Sequence, residues 1–157
     1  LLVAQALTAG HEVAVLARTR ERLDITSERL RVIQGDALDP GRVRETVAGV
    51  EAVISLIGPQ RDAPPRMVSR ATVNILAAAS EVGARRSIVV ACEVARGEAR
   101  VDLRASAVAV SASDLAWTLV RVPRPTDDPR QRSGLAAFLL RLVDDGAFVR
   151  KTTVFGG

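Results

Sequence analysis

GHEVAVLARTRERLDITSERLRVIQGDALDP, residues Gly10–Pro40, decides how this chain is read. Its opening residues His11–Leu16 form a short apolar run behind a glycine, which predicts a buried parallel strand over Glu12–Leu16. Arg18, Arg20 and Arg22 follow at once. Leu30–Ile33 is a second short strand, closed by Gly35-Asp36-Ala37-Leu38. Asp39 is an N-cap followed by Pro40 at the first helical position, so Gly41–Ala48 is expected to be a short helix.

Working outward, Leu1–Ala9 is helical in composition, and Gly10 suits the left-handed position that ends a helix. That helix has no N-cap, so the chain reads as starting inside it. Downstream, Ala52–Ile57 is the most strand-like run, stopped by Gly58-Pro59. Pro64-Pro65 opens a long helix to about Val82, with Met67, Ala71, Ile75, Ala78 and Val82 at helical spacing, and Gly83 ends it. Ser87–Ala91 reads as a strand, Ala99–Ser111 as a helix and Trp117–Val120 as a strand. Pro123, Pro125 and Pro129 mark a loop. Leu135, Phe138, Leu139, Leu142 and Val143 share one face of a further helix, and Thr152–Phe155 suits a last strand. Alternating strands and helices predict one domain, residues 1–157, with a mostly parallel sheet between two helical layers.

In such an α/β sheet the end of the second strand meets the ribose of a bound nucleotide. An acid there selects a 2′-hydroxyl and an arginine a 2′-phosphate. Glu12–Leu16 is read as that fold's second strand and Leu30–Ile33 as its third; Arg18 and Arg22 follow the former, so the expected ligand is a phosphorylated dinucleotide, NADP(H).

Composition removes other classes. The 157 residues suit one core, and at 48% hydrophobic content no apolar run nears the roughly 18 residues of a membrane span. No charged-then-apolar leader is visible, and the single cysteine, Cys92, cannot form an internal disulfide. The expected location is therefore the reducing cytoplasm. One histidine and one cysteine make a zinc site unexpected. The arginines are scattered and aromatic residues are 3%, unlike a concentrated nucleic-acid surface with stacking rings. Neither nucleic acid nor membrane is an expected partner.

The pieces GHEVAVLARTRERL, RVIQGDALDP, VAGVEAVISLIGPQRD, NILAAASEVGARRSIVVAC and SDLAWTLVRVP occur in that order over most of the chain. Together they resemble the atypical short-chain dehydrogenase/reductases, close to the biliverdin-IXβ/flavin reductases and the NmrA-like proteins. The resemblance implies a doubly wound Rossmann-like sheet. It implies that Arg18 and Arg22 grip the 2′-phosphate, and that Asp36 and Ala37 meet the adenine edge with Leu38 packing nearby. Leu56, Ile57 and Gly58 would touch ribose and pyrophosphate, and Arg61 would add a second phosphate-side arginine. Ala91 and Cys92 would face the nicotinamide, and Arg121-Val122-Pro123 would wall the substrate pocket.

The chain departs from this family in three respects. The sequence reads as beginning after the family's first strand and glycine-rich phosphate loop, so either a fragment of a longer domain or a rebuilt sheet is expected, the fragment first. Val94 stands where the family carries a serine. There is no tyrosine for a Tyr-x-x-x-Lys acid.

Bland readings stand beside the sharp ones. Arg18 and Arg22 also suit a solvated turn, and Asp36 a side-chain cap of its own turn. Cys92, distant from the only histidine (His11), reads better as a small packing residue than as a nucleophile. Glu93 suits a proton donor or a solvated glutamate equally, and Trp117 reads as core. The activity implied is NADPH-dependent hydride transfer to a flavin-, tetrapyrrole- or quinone-like small-molecule acceptor. The alternatives are a non-catalytic NADP(H)-sensing module with a protein partner, or an inactive fragment of a reductase.

Overall fold

The computed structural model describes residues 1–60, 62–93, 96–123 and 127–156. Among them the chain alternates α1 (Leu2–Thr8), β1 (Val13–Ala17), β2 (Leu30–Gln34), α2 (Pro40–Val47), β3 (Ala52–Ser55), α3 (Met67–Glu81), β4 (Arg86–Cys92), α4 (Gly97–Ser111), β5 (Trp117–Val122), α5 (Pro129–Asp144) and β6 (Lys151–Val154).

Local chemistry sets the element ends. Gly10, at φ +93°, ends α1 in the left-handed region. Its N–H reaches the Leu7 carbonyl at 3.1 Å, and the His11 N–H reaches Ala6 at 3.0 Å. That paired closure satisfies two carbonyls of the last turn and aims the chain into β1. The Asp39 carboxylate caps α2 as expected, accepting from Gly41 N–H at 2.8 Å and Arg42 N–H at 3.2 Å.

All strand pairs are parallel. β1 pairs with β2, from Val13 opposite Leu30 to Ala17 opposite Gln34. The others form a four-stranded sheet in the order β3-β4-β5-β6. The β2–α2–β3 crossover returns the chain in the same direction, so β3 runs with β1. Helices α2, α3 and α4 cover one face, where Val43, Val47, Ile75 and Ala78 form one cluster and Leu76, Val89, Val110 and Trp117 another. Helices α1 and α5 cover the opposite face, where Leu2 and Leu139 pack with Ile54, Ile88 and Val120. The expected three-layer, doubly wound arrangement is therefore present.

One slot in the sheet is open. Among the described residues β1 pairs only with β2 and β3 only with β4. The halves are joined across this gap by helices instead. Gln5 on α1 donates to Ser133 Oγ on α5 at 2.9 Å. On the other face, Leu16 of β1 and Val53 of β3 pack against the same α2–α3 cluster.

Several expected boundaries shift. The first strand covers Val13–Ala17, not Glu12–Leu16, because Gly10 and His11 are still occupied in closing α1. β3 stops at Ser55, short of Ile57, and β4 runs on beyond Val89 paired with β5 alone. α3 begins at Met67, not at the proline pair. A residue before proline is biased away from helical geometry, and Arg66 adopts a left-handed φ of 58°. Val82 is 38% exposed and lies beyond the buried stripe that holds Met67, Ala71, Ile75 and Ala78. β5 extends to Val122, and its neighbour β6 runs over Lys151–Val154.

The α5 face carries a buried cation that no sequence pattern flagged. Arg86, 6% exposed, donates from Nε and Nη2 to the Leu142 carbonyl at 3.0 and 2.8 Å. It also reaches the Ala116 carbonyl at 2.7 Å and Thr118 Oγ1 at 2.8 Å. Burial lowers its pKa, and the charge of Asp145 partly opposes that. The side chain pins the end of α5 onto β4 and β5.

Candidate functional site

The strands of both sheets point their carboxyl ends to one edge, where an open α/β sheet takes its ligands. A cleft of about 1340 Å³ begins there and runs down between β1 and β3. Its wall at the carboxyl edge brings together Arg18, Asp36, Ala37, Leu38, Leu56 and Ile57. These are six of the residues expected to hold the nucleotide.

Each arrives by a different local device. Arg18 is the first residue beyond β1 and is exposed at the mouth. Its carbonyl accepts from Gln34 Nε2 at 3.4 Å, which ties the ends of β1 and β2 together. Gly35 follows β2 where a side chain has no room, since an added Cβ would lie 2.8 Å from Arg42 Cγ and 2.9 Å from Arg42 Cβ. Asp36 Oδ1 accepts the Leu38 N–H at 2.9 Å, so the capping role weighed from the sequence is present. This carboxylate shapes the turn that presents Ala37 and Leu38. Leu56, 55% exposed, and half-buried Ile57 extend past β3.

Other candidates lie elsewhere. Gly58 follows Ile57 but does not line the cleft. Ala91 and Cys92 end β4, half-buried, with Cys92 in register with Val122 and exposed Pro123 just beyond. They occupy the same edge of the sheet, outside the walls of the cleft. Arg22 falls in a single 3-10 turn over Arg20–Arg22, and its side chain lies outside the described residues. Arg61 and Val94 also lie outside them. Glu93 is ion-paired with Arg121, so its carboxylate is engaged by a guanidinium rather than presented as an acid.

Two site residues were missed from sequence. Asn74 Nδ2 donates to the Ala37 carbonyl at 2.9 Å and fixes that loop against α3. An asparagine inside the otherwise apolar run VNILAAA was the available signal. Ser55, 5% exposed on the cleft wall, has an Oγ with no hydrogen-bond partner. In its strand it reads as one more small residue.

The sequence profile of a family described as NAD(P)H-binding matches residues 1–142. The chain belongs to that NAD(P)H-binding family. Solved structures agree on the fold. A short-chain dehydrogenase/reductase from Veillonella parvula, in complex with NADP, superimposes with a TM-score of 0.81 at 18% identity, covering 99% of this chain and 88% of that one. The oxidoreductase YlbE from Lactococcus lactis gives 0.83 at 13% identity, over 98% and 83% of the two chains. The Bordetella bronchiseptica enzyme WbmH, in complex with NAD+, gives 0.78 at 16%, over 98% and 70%. This chain thus has the fold of NAD(P)H-binding oxidoreductases, and NAD(P)H is its cofactor class.

The residues present fit the adenosine end of such a cofactor. Arg18 offers a planar phosphate-binding cation at the mouth, and Ala37, Leu38 and Ile57 offer apolar surface beside it.

Proposed function

We propose that this NAD(P)H-binding chain is selective for NADP(H) and belongs to the atypical short-chain reductases, which reduce a flavin-, tetrapyrrole- or quinone-like acceptor. The observation that carries the reading is Arg18, which stands directly after β1 at the mouth of the cleft, across from the Asp36–Leu38 turn. A guanidinium in that position reads a 2′-phosphate, whereas a carboxylate would read a 2′-hydroxyl. Arg22 and Arg61 are proposed as further phosphate contacts.

The chain's own residues bind and orient. Asp36 holds its turn through the Leu38 N–H, and Asn74 holds Ala37, so an adenine would meet a prearranged edge. Leu56, Ile57 and Gly58 would border the ribose and pyrophosphate beyond β3. Ala91, Cys92 and Pro123 would border the nicotinamide, beside the Glu93–Arg121 ion pair. When bound, the dinucleotide supplies a hydride. An acceptor that takes its proton from solvent asks little acid catalysis of the protein, which is compatible with a chain without tyrosine.

A second reading, an NADP(H)-responsive module that binds a partner protein, is favoured by the engagement of Glu93 with Arg121, which occupies the carboxylate weighed as a proton donor beside the nicotinamide. Cytoplasmic residence suits both readings. Among the described residues no helix is long and apolar enough to cross a membrane.

Calorimetric titration with NADPH and NADH tests the cofactor reading. A charge-assisted contact of about 1.5–3 kcal/mol predicts roughly ten- to hundredfold preference for NADPH, lost in Arg18→Ala. Equal affinities, or a preference untouched by the substitution, would refute it. NADPH oxidation with a flavin acceptor then separates reductase from sensor.

A further inference from the structure

Arg121 breaks the burial pattern of its strand. β5 lies between β4 and β6, and the other residues of Trp117–Val122 are all buried, Val120 at 0% and Val122 at 7% exposure. The Arg121 side chain is instead 50% exposed. Alternation puts it on the same face as Leu119 and Trp117. Those two pack with Leu76 of α3 and Val110 of α4, so the helical layer covers this row as far as Leu119 and leaves Arg121 open beyond it. The open end is the carboxyl edge, where this fold takes its ligands.

The neighbours show what the open guanidinium can do. Arg121 is in register with Ala91, and the Glu93 N–H carries the β4 ladder on to the Val122 carbonyl at 3.1 Å. Glu93, two residues on from Ala91, reaches across that face, and its Oε1 pairs with Arg121 Nη2. One carboxylate takes at most two of the five guanidinium donors, which leaves others for a second anion. With Glu93 at 31% and Arg121 at 50% side-chain exposure, water screens the pair and holds it weakly. Arg86 is the contrast within the same sheet. It is 6% exposed and gives its donors to the Leu142 and Ala116 carbonyls and Thr118 Oγ1, which is the pattern of a structural arginine.

We propose that Arg121 reads an anionic group, a carboxylate or phosphate, on the acceptor, and that Glu93 is the carboxylate competing for it. The planar fork of the guanidinium matches either group. This rests on the reductase reading for what the ligand is, an acceptor beside the Ala91–Cys92 end of β4. It narrows that acceptor to one carrying an acid group.

Riboflavin and its 5′-phosphate differ only in such a group. Quenching of flavin fluorescence, titrated with the chain at low salt, gives the affinity of each without turnover. The phosphate is expected to bind about fivefold more tightly. Arg121→Ala should bring the ratio to about one, and Arg121→Lys should keep part of it. Glu93→Gln removes the competing charge and should raise the ratio about threefold further. Equal affinities in the parent, no flavin binding, or a ratio lowered by Glu93→Gln would overturn the proposal. So would a ratio that survives Arg121→Ala and is lost in Arg18→Ala, which would put the phosphate at the adenosine end. NADPH oxidation keeps the two readings apart. Selective binding without turnover refutes the reductase reading alone, whereas turnover of both flavins with equal KM and equal affinity refutes this one alone.

Discussion

Asp102, on α4, holds the first turn of α3 by accepting the backbone N–H of Ser69 at 2.9 Å. The Val68 N–H reaches its other carboxylate oxygen at 2.8 Å. α3 has no cap of its own, because Arg66 stands at its N-cap position with a left-handed backbone. A carboxylate from another helix therefore satisfies donors that the local sequence leaves open, and it locks α3 to α4.

Replacing Asp102 with alanine is expected to cost about 1–2 kcal/mol, the upper part of the range for a lost N-cap. Urea denaturation of the two proteins at neutral pH measures it. A loss within error of zero would mean that water replaces the carboxylate without penalty.

The same residue gives an acid limb. Burial raises the Asp102 pKa, but hydrogen bonds from the Ser69 side chain and backbone and from Val68, with the charge of Arg66, outweigh it and leave the pKa lowered. A folded pKa below the unfolded one, about 3.9, means the stabilisation is complete above that value and is lost as pH falls through the folded pKa. Stability should therefore decline more steeply in acid for the parent than for Asp102→Asn. Parallel slopes below pH of about 4 would contradict this.

Arg86 predicts a larger loss. Its removal strands the Leu142 carbonyl in a buried setting, at roughly 1–3 kcal/mol for an unsatisfied group, whereas the Ala116 carbonyl keeps the Ser87 N–H. Arg86→Ala should lower stability by about 2–3 kcal/mol. Arg86→Lys should recover only part of this, since an ammonium cannot span the same acceptors. Thermal melts of both variants give the order.

Gly35 links stability to the site. A Cβ there would press on Arg42 close to the backbone of α2 and lie 3.2 Å from Leu16 Cδ1. Overpacking of this kind costs about 1–3 kcal/mol, and it would displace the Asp36–Leu38 turn. Gly35→Ala is expected to lower both the melting temperature and NADPH affinity. A change in stability with unaltered affinity would separate the turn from the cofactor.

The open gap predicts uneven stability. β4 and β5 are paired on both sides and contain Ile88 and Val120 at 0% exposure, whereas every residue of β1 is only half-buried. A two-stranded sheet with both edges open is marginal alone. Amides of β1 and β2 should exchange well before those of β4 and β5. A single uniform protection factor would show that the helices α1 and α2 couple the halves fully.

The sequence by itself determined the order of elements, because its signals act over a few residues. Asp39-Pro40 and Gly10 fix helix ends through hydrogen bonds to their own neighbours, and the β-branched runs specify buried parallel strands. The place of Arg18 directly after β1 likewise put it at the mouth of the cleft. What the sequence left open depended on groups brought together from afar. The occupied carboxylate of Glu93 needs Arg121, and the cap on α3 needs Asp102 from another helix. The Ala37 loop needs Asn74, and the buried Arg86 needs the end of α5. Whether β1 and β3 would pair with each other was decided by tertiary packing alone. Helices α1 with α5, and α2 with α3, bridge the two sheets at a separation set by their own side chains, so β1 and β3 stay apart with their backbone edges facing.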